Sequence, residues 1–154
     1  MHVTIKDMLA YRLAAIRHIG PYMQIGDAFA RLGAIAGPAG LFGPGAIMLG
    51  IYYDDPDTTP AAELRADAGL TIAEGITIPS GLTEAHLPAG PYAMTTHIGS
   101  YEGLSVVWAQ LKHEWLPASG RTMPGGASYE IYRNTPMDVP KEQLVTELYM
   151  PLAR

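Results

Sequence analysis

Apolar residues recur along this chain in two registers that alternate in a fixed order. From Pro21 or Tyr22 to about Gly37, the residues Ile25, Ala28, Phe29, Leu32 and Ile35 fall at helical spacing, with Pro21 suited to a first helical position and Gly37-Pro38 to a stop. A second amphipathic helix is predicted after Ser100, its stripe made of Leu104, Val107, Trp108, Leu111 and Trp115 and its end near residues 117–120. Strand-like sequence precedes each helix, at residues 3–5 and 13–19 and again at residues 82–87 and 92–98. Two more candidate strands follow each, at residues 46–53 and 64–70 and then at residues 128–133 and 144–152. Asp54-Asp55-Pro56-Asp57 and Asn134-Thr135-Pro136 supply turns at matching points.

The correspondence extends to the residues themselves. Arg17-His18-Ile19-Gly20-Pro21-Tyr22 returns 79 residues later as Thr96-His97-Ile98-Gly99-Ser100-Tyr101, and Gly50-Ile51-Tyr52 returns 80 residues later as Glu130-Ile131-Tyr132. The chain is one strand-helix-strand-strand unit written twice, in pseudo-repeats of about residues 3–70 and 82–152. Ile78-Pro79-Ser80-Gly81 is too short a linker to separate independent domains. A single domain over residues 1–154 is therefore expected, α+β in class, with mostly antiparallel strands in one curved sheet and two helices packed on it. A ligand groove is expected where the halves meet, and 154 residues suffice for a core without crosslinks.

Composition narrows the chemistry. The absence of cysteine removes thiol catalysis and Cys-ligated zinc and fits a cytoplasmic protein. Lys6 and Asp7 fall where the apolar part of an export signal would lie. Glycines and prolines break up the charge-free run of residues 32–53, so no membrane span is expected. With 15 acidic against 10 basic residues, a net charge of −5 and no Lys/Arg cluster, direct nucleic-acid binding has no electrostatic support.

Neither a complete phosphate loop nor a GxSxG elbow occurs. The histidines lack metal-ligand spacing, and His18 and His97, repeat partners just before a glycine, read as structural. The Asp54, Asp55 and Asp57 run reads as a turn, so no metal or cofactor is expected.

The two copies differ where chemistry is possible. Gly50 corresponds to Glu130, Gly69 to Tyr149 and Asp67 to Glu147. Side-chain alternation puts Glu130 and Tyr132 on one face of their strand, and Glu147 and Tyr149 on one face of theirs. If both faces meet the groove, glycines on one wall leave room for a ligand and an acidic, aromatic wall opposes them. Such a receptor suits flat, lipophilic, cationic molecules, because charge, apolar area and cation–π attraction act together. The alternative is that both glutamates are solvated on an exposed sheet face and that Trp108 and Trp115 are core packing; the residues alone leave both readings open.

The repeat halves, with Tyr52-Tyr53-Asp54-Asp55-Pro56-Asp57, Leu87-Pro88-Ala89-Gly90-Pro91-Tyr92, Tyr129-Glu130-Ile131-Tyr132 and Thr146-Glu147-Leu148-Tyr149-Met150-Pro151-Leu152, resemble the GyrI-like family. This is the effector-binding domain of AraC-type and MerR-type multidrug regulators, and the resemblance runs from about Val3 to Leu152. It implies a duplicated fold with a ligand groove between the copies and a lipophilic-cation anchor at the glutamate of the Tyr-Glu-x-Tyr strand, here Glu130. It carries Glu147 and Tyr149 over to the same groove; Tyr52, Tyr132 and Trp108 complete the candidate ligand-binding set by position.

The chain shows no helix-turn-helix segment, so a stand-alone receptor with a role in toxin resistance is expected. Some stand-alone members inhibit DNA gyrase through protein contact, and one subfamily hydrolyses cyclopropane-bearing DNA-alkylating compounds in an aromatic cage. By resemblance, gyrase is a candidate partner, and if the chain is an enzyme Glu130 is the catalytic candidate.

Overall fold

The computed structural model describes residues 1–154. The chain forms two compact units, an N-terminal one of Ala10–Pro88 and a C-terminal one of Met1–Leu9 with Ala89–Arg154. The N-terminal unit contains β2 (Tyr11–Ile19), α1 (Gly26–Ala36), β3 (Met48–Tyr52), β4 (Arg65–Thr71) and β5 (Thr83–Leu87). The C-terminal unit contains β1 (Thr4–Met8), β6 (Gly90–Ile98), a long composite helix, β7 (Ser128–Tyr132) and β8 (Val145–Pro151). The helix runs as α2 (Leu104–Gln110), a π-helical segment Leu111–Trp115 and α3 (Leu116–Ser119). Each unit is a four-stranded antiparallel sheet with one helical face, in the order β5-β2-β4-β3 and β1-β6-β8-β7. The class is α+β, as the alternating periodicities predict.

The repeat is visible in small features. One-turn 3₁₀ helices at Tyr22–Gln24 and Ala61–Glu63 recur at Tyr101–Gly103 and Lys141–Gln143. His18 Nε2 lies 2.9 Å from the Pro21 carbonyl oxygen, and His97 Nε2 lies 2.9 Å from that of Ser100. Each ring ties the end of a strand to the turn that starts the helix, the structural role expected of this pair. The intervening glycines, Gly20 and Gly99, have φ of +132° and +139°, a backbone region that L side chains rarely adopt. Ser100 Oγ accepts a hydrogen bond from the Glu102 amide at 3.2 Å, the predicted cap. The acidic turn is also structural: Asp54 accepts hydrogen bonds from the Arg65 amide and guanidinium, and its counterpart Asn134 accepts one from the Val145 amide.

The sequence repeats and the compact units do not coincide at their edges. β1 opens the first repeat but pairs with β6, and β5, its equivalent 79 residues later, pairs with β2 in the same register. The two copies thus exchange their first strands. β1 is held by the β6 ladder, by Val3 packing on the Ala93, Leu111, Met150 and Leu152 cluster, and by the Thr95 hydroxyl donating to the His2 carbonyl at 2.7 Å.

Deleting residues 1–9 should leave the β6 edge unpaired and speed hydrogen exchange at its amides by about tenfold or more. Unchanged protection along β6 would show that β1 does not hold this sheet together.

Candidate functional site

In the N-terminal unit the helical face is dry and tight. Ala28, Leu32 and Ala36 of α1 pack with Ala14, Ala68, Leu70 and Leu82, joined by Phe29 and Ile16. Small side chains on both surfaces let the backbone of α1 come close to β2 and β4. Gly50 sits opposite Ala68 on this face. On the other face, a Cβ at Gly69 would lie 3.1 Å from Leu13 Cδ2 and 3.7 Å from the Leu49 carbonyl oxygen. Gly69 therefore leaves no space of its own, contrary to the expectation drawn from the repeat, because Leu13 takes it.

The C-terminal unit handles the same positions differently. Here the larger side chains of Trp108, Leu111 and Trp115 pack with Ala93 and Met150. Glu130 stands where the first copy has Gly50 and is only 3% exposed. Trp108 Nε1–H donates to its Oε2 at 2.6 Å, and the Tyr132 hydroxyl donates to its Oε1 at 2.7 Å. Such bonds are what a buried carboxylate requires, since desolvating it without partners costs several kcal/mol.

The cluster extends outward. Tyr101 lies edge-on to Tyr132 at 5.7 Å, and Lys112 Nζ lies 5.8 Å from the Trp108 ring centroid. Burial, and then the negative charge of Glu130, push the Tyr101 hydroxyl pKa above its ordinary value. The π-helical segment begins three residues after Trp108; π-turns widen a helix and are frequent at functional sites. No sequence signal marks it. The repeat spacing steps from 79 to 80 between Leu111 and Glu130 without showing where the extra residue lies.

Strand register separates the remaining candidates. Glu130 is opposite Leu148, whereas Tyr129 is opposite Tyr149 and Ile131 opposite Glu147, so Glu147 and Tyr149 lie on the face away from the helix. There Arg133 Nη2 lies 2.8 Å from Glu147 Oε1, and the Tyr149 hydroxyl donates to the same oxygen at 2.8 Å. Burial raises the Glu147 pKa, but the bonds from Arg133 and Tyr149 outweigh it and leave the carboxyl below its ordinary range. The Tyr149 ring is stacked on Tyr129 at 4.9 Å, with Tyr92 edge-on to both. The first copy has the same arrangement at Asp67, which is bound by Arg17 at 2.7 Å and by the Tyr53 hydroxyl at 2.6 Å. Tyr52 belongs to the N-terminal unit, where its ring meets Tyr22 edge-on at 4.8 Å. Of the six predicted site residues, the structure brings together Glu130, Tyr132 and Trp108, and sequence reasoning missed Tyr101 beside them.

An open groove of about 520 Å³ runs along β1 and α2, lined in part by His2, Lys6, Thr95, Val107 and Gln110. Thr95 is in the same cross-strand row as Leu148 and Glu130, two strands and roughly 10 Å from the acid. The groove thus lies at the β1 edge of the sheet, with Thr95 on the Glu130 side and Lys6, Met94 and Thr96 on the Glu147 side.

Glu130 is thus a buried, aromatic-lined carboxylate between helix and sheet. The model of the GyrI-like small molecule binding domain matches residues 1–153. The chain belongs to this family. It is 36% identical over 129 residues to a DNA gyrase inhibitor of Yersinia enterocolitica, covering 80% of each chain. Among solved structures it is similar to the EcmrR C-terminal domain, with a TM-score of 0.82 at 16% identity over 99% of this chain and 98% of that one. It is also similar to SAV2435 bound to tetraphenylphosphonium, with a TM-score of 0.69 at 16% identity over 99% and 94%. No helix is long and apolar enough to cross a membrane.

Trp108→Phe keeps the ring and removes the donor to Glu130, and should destabilise the fold by about 1.5–3 kcal/mol in chemical denaturation. A loss under about 0.5 kcal/mol would show that the bond to the carboxylate contributes little. Glu147 yields a pH signature. A carboxyl whose folded pKa is depressed adds stability that is present above its unfolded pKa and lost as pH falls through the folded value. Glu147→Gln should therefore lose less stability than wild type between about pH 5 and pH 3, with melting temperature as the readout. Parallel curves would remove the ion pair from the account.

Proposed function

We propose that this chain binds hydrophobic, planar or cationic small molecules, lipophilic cations among them, at Glu130 and protects the cytoplasm by lowering their free concentration. The observation that carries the reading is a carboxylate 3% exposed and enclosed by Trp108, Tyr132 and Tyr101. In the closed site the two oxygens accept hydrogen bonds from neutral donors. A bound cation adds Coulomb attraction in a medium that screens it weakly, and the rings add about 0.5–2 kcal/mol of cation–π attraction. Trp108 must move to admit it, and its setting beside a π-helical segment gives that side chain a place to move. The groove along α2 offers a route of approach, and the lipophilic cation bound to SAV2435 supports the ligand class.

A second reading, inhibition of DNA gyrase by protein contact, is supported by the Yersinia enterocolitica relative of that name. The two readings separate experimentally, because inhibition by an outer surface does not require the buried acid. A supercoiling assay with wild type and Glu130→Gln distinguishes them: surface inhibition should survive the substitution, and the absence of inhibition at excess protein would remove this reading.

For the leading reading, tetraphenylphosphonium should quench Trp108 fluorescence saturably, and Glu130→Gln should weaken binding by about tenfold or more. Equal affinities for both proteins would defeat Glu130 as the anchor.

A further inference from the structure

One polar atom in the core has no partner. The Thr146 hydroxyl is fully buried and makes no hydrogen bond. Leaving a hydroxyl in that state costs about 1–3 kcal/mol. Its equivalent in the first repeat is Ala66, also fully buried, so the fold accommodates a methyl group at this position. The register places Thr146 directly opposite Tyr132 on one side and His97 on the other, on the sheet face that carries Glu130. His97 Nε2 is engaged with the Ser100 carbonyl oxygen and the Tyr132 hydroxyl with Glu130.

Glu130 and Thr146 are diagonal cross-strand neighbours, a relation that sets the two residues roughly 7–8 Å apart. Three positions of this unit thus replace apolar groups of the first copy with polar ones: Glu130 for Gly50, the indole N–H of Trp108 for the ring of Phe29, and Thr146 for Ala66. Two of the three are hydrogen-bonded to each other, and the third points a free hydroxyl into the same layer.

We propose that the Thr146 hydroxyl is a second polar anchor of the ligand site, selecting cations that also carry a hydrogen-bonding group over cations that are hydrocarbon throughout. This rests on the Glu130 site being a receptor for cations and adds the chemistry of its ligand. The ligand places its charge at Glu130 and an amine, hydroxyl or carbonyl at Thr146, and the exchange satisfies a buried group that the empty site leaves unsatisfied.

Two probes and two variants test it. Tetraphenylphosphonium carries no hydrogen-bonding group, whereas ethidium is a planar cation with two amino groups. Thr146→Val, which keeps the shape and removes the hydroxyl, should weaken ethidium binding by about five- to tenfold and leave tetraphenylphosphonium within about twofold. Thr146→Ser should restore ethidium affinity, and the melting temperature of Thr146→Val should be equal to or above that of wild type. Equal losses for both probes, no loss for ethidium, or failure of ethidium to bind a wild type that binds tetraphenylphosphonium would each overturn the anchor. If neither probe binds wild type, the receptor reading itself falls, and this inference with it.

Discussion

A carboxylate taken out of water must be met by donors or it will not stay charged, and the C-terminal unit is organised around meeting that requirement at Glu130. Trp108 comes from the helix and Tyr132 from the same strand, so the acid fixes the rotamer of each and links the two layers. The first copy shows the arrangement that results without the acid. With Gly50 in place of Glu130 and Phe29 in place of Trp108, the helix closes onto its sheet through alanines and leucines. The same backbone plan thus yields a sealed core in one unit and a polar, aromatic layer in the other.

The two faces of the C-terminal sheet have separate tasks. On the face away from the helix, Glu147 is neutralised by Arg133 and braced by Tyr149, just as Asp67 is by Arg17 and Tyr53 in the first copy. The arginine comes from β2 in one case and from the residue after β7 in the other. A shared need of the two sheets is therefore met by unrelated positions, a pattern expected of ion pairs that support the fold. Arginine binds these two acids, whereas the Trp108 indole and the Tyr132 hydroxyl donate to Glu130.

Much of this was legible in the chain. The repeat, the helices, the order of elements along the chain, the turn role of the Asp54 run and the structural role of His18 and His97 all follow from periodicity and from comparing the copies, because they depend on local spacing; the exchange of β1 and β5 does not. Glu130, Tyr132 and Trp108 were legible as candidates for the same reason. The placement of Glu147 and Tyr149 was not, since alternation tells which residues share a face within one strand but not how two strands are registered; that depends on the ladder joining β7 and β8. Tyr101 was missed because it lies on a single 3₁₀ turn outside the helical stripe. Gly69 misled because absent side-chain volume in one residue can be filled by a neighbour such as Leu13, which lies on another strand.

The exchanged edge strands also affect how this molecule is made. The ribosome emits residues 4–8 ahead of their ladder partner, residues 90–98, which emerges some eighty residues later. At about 5–20 residues per second that interval is roughly 4–16 s. During it the nascent chain completes the N-terminal sheet with its own β5, while the leading segment waits without a partner. Its sequence, Thr-Ile-Lys-Asp-Met, carries two charged residues in five, the kind of composition that keeps a waiting edge from sticking to a neighbour. β1 is thus made well before the strand it pairs with and docks only once β6 has emerged.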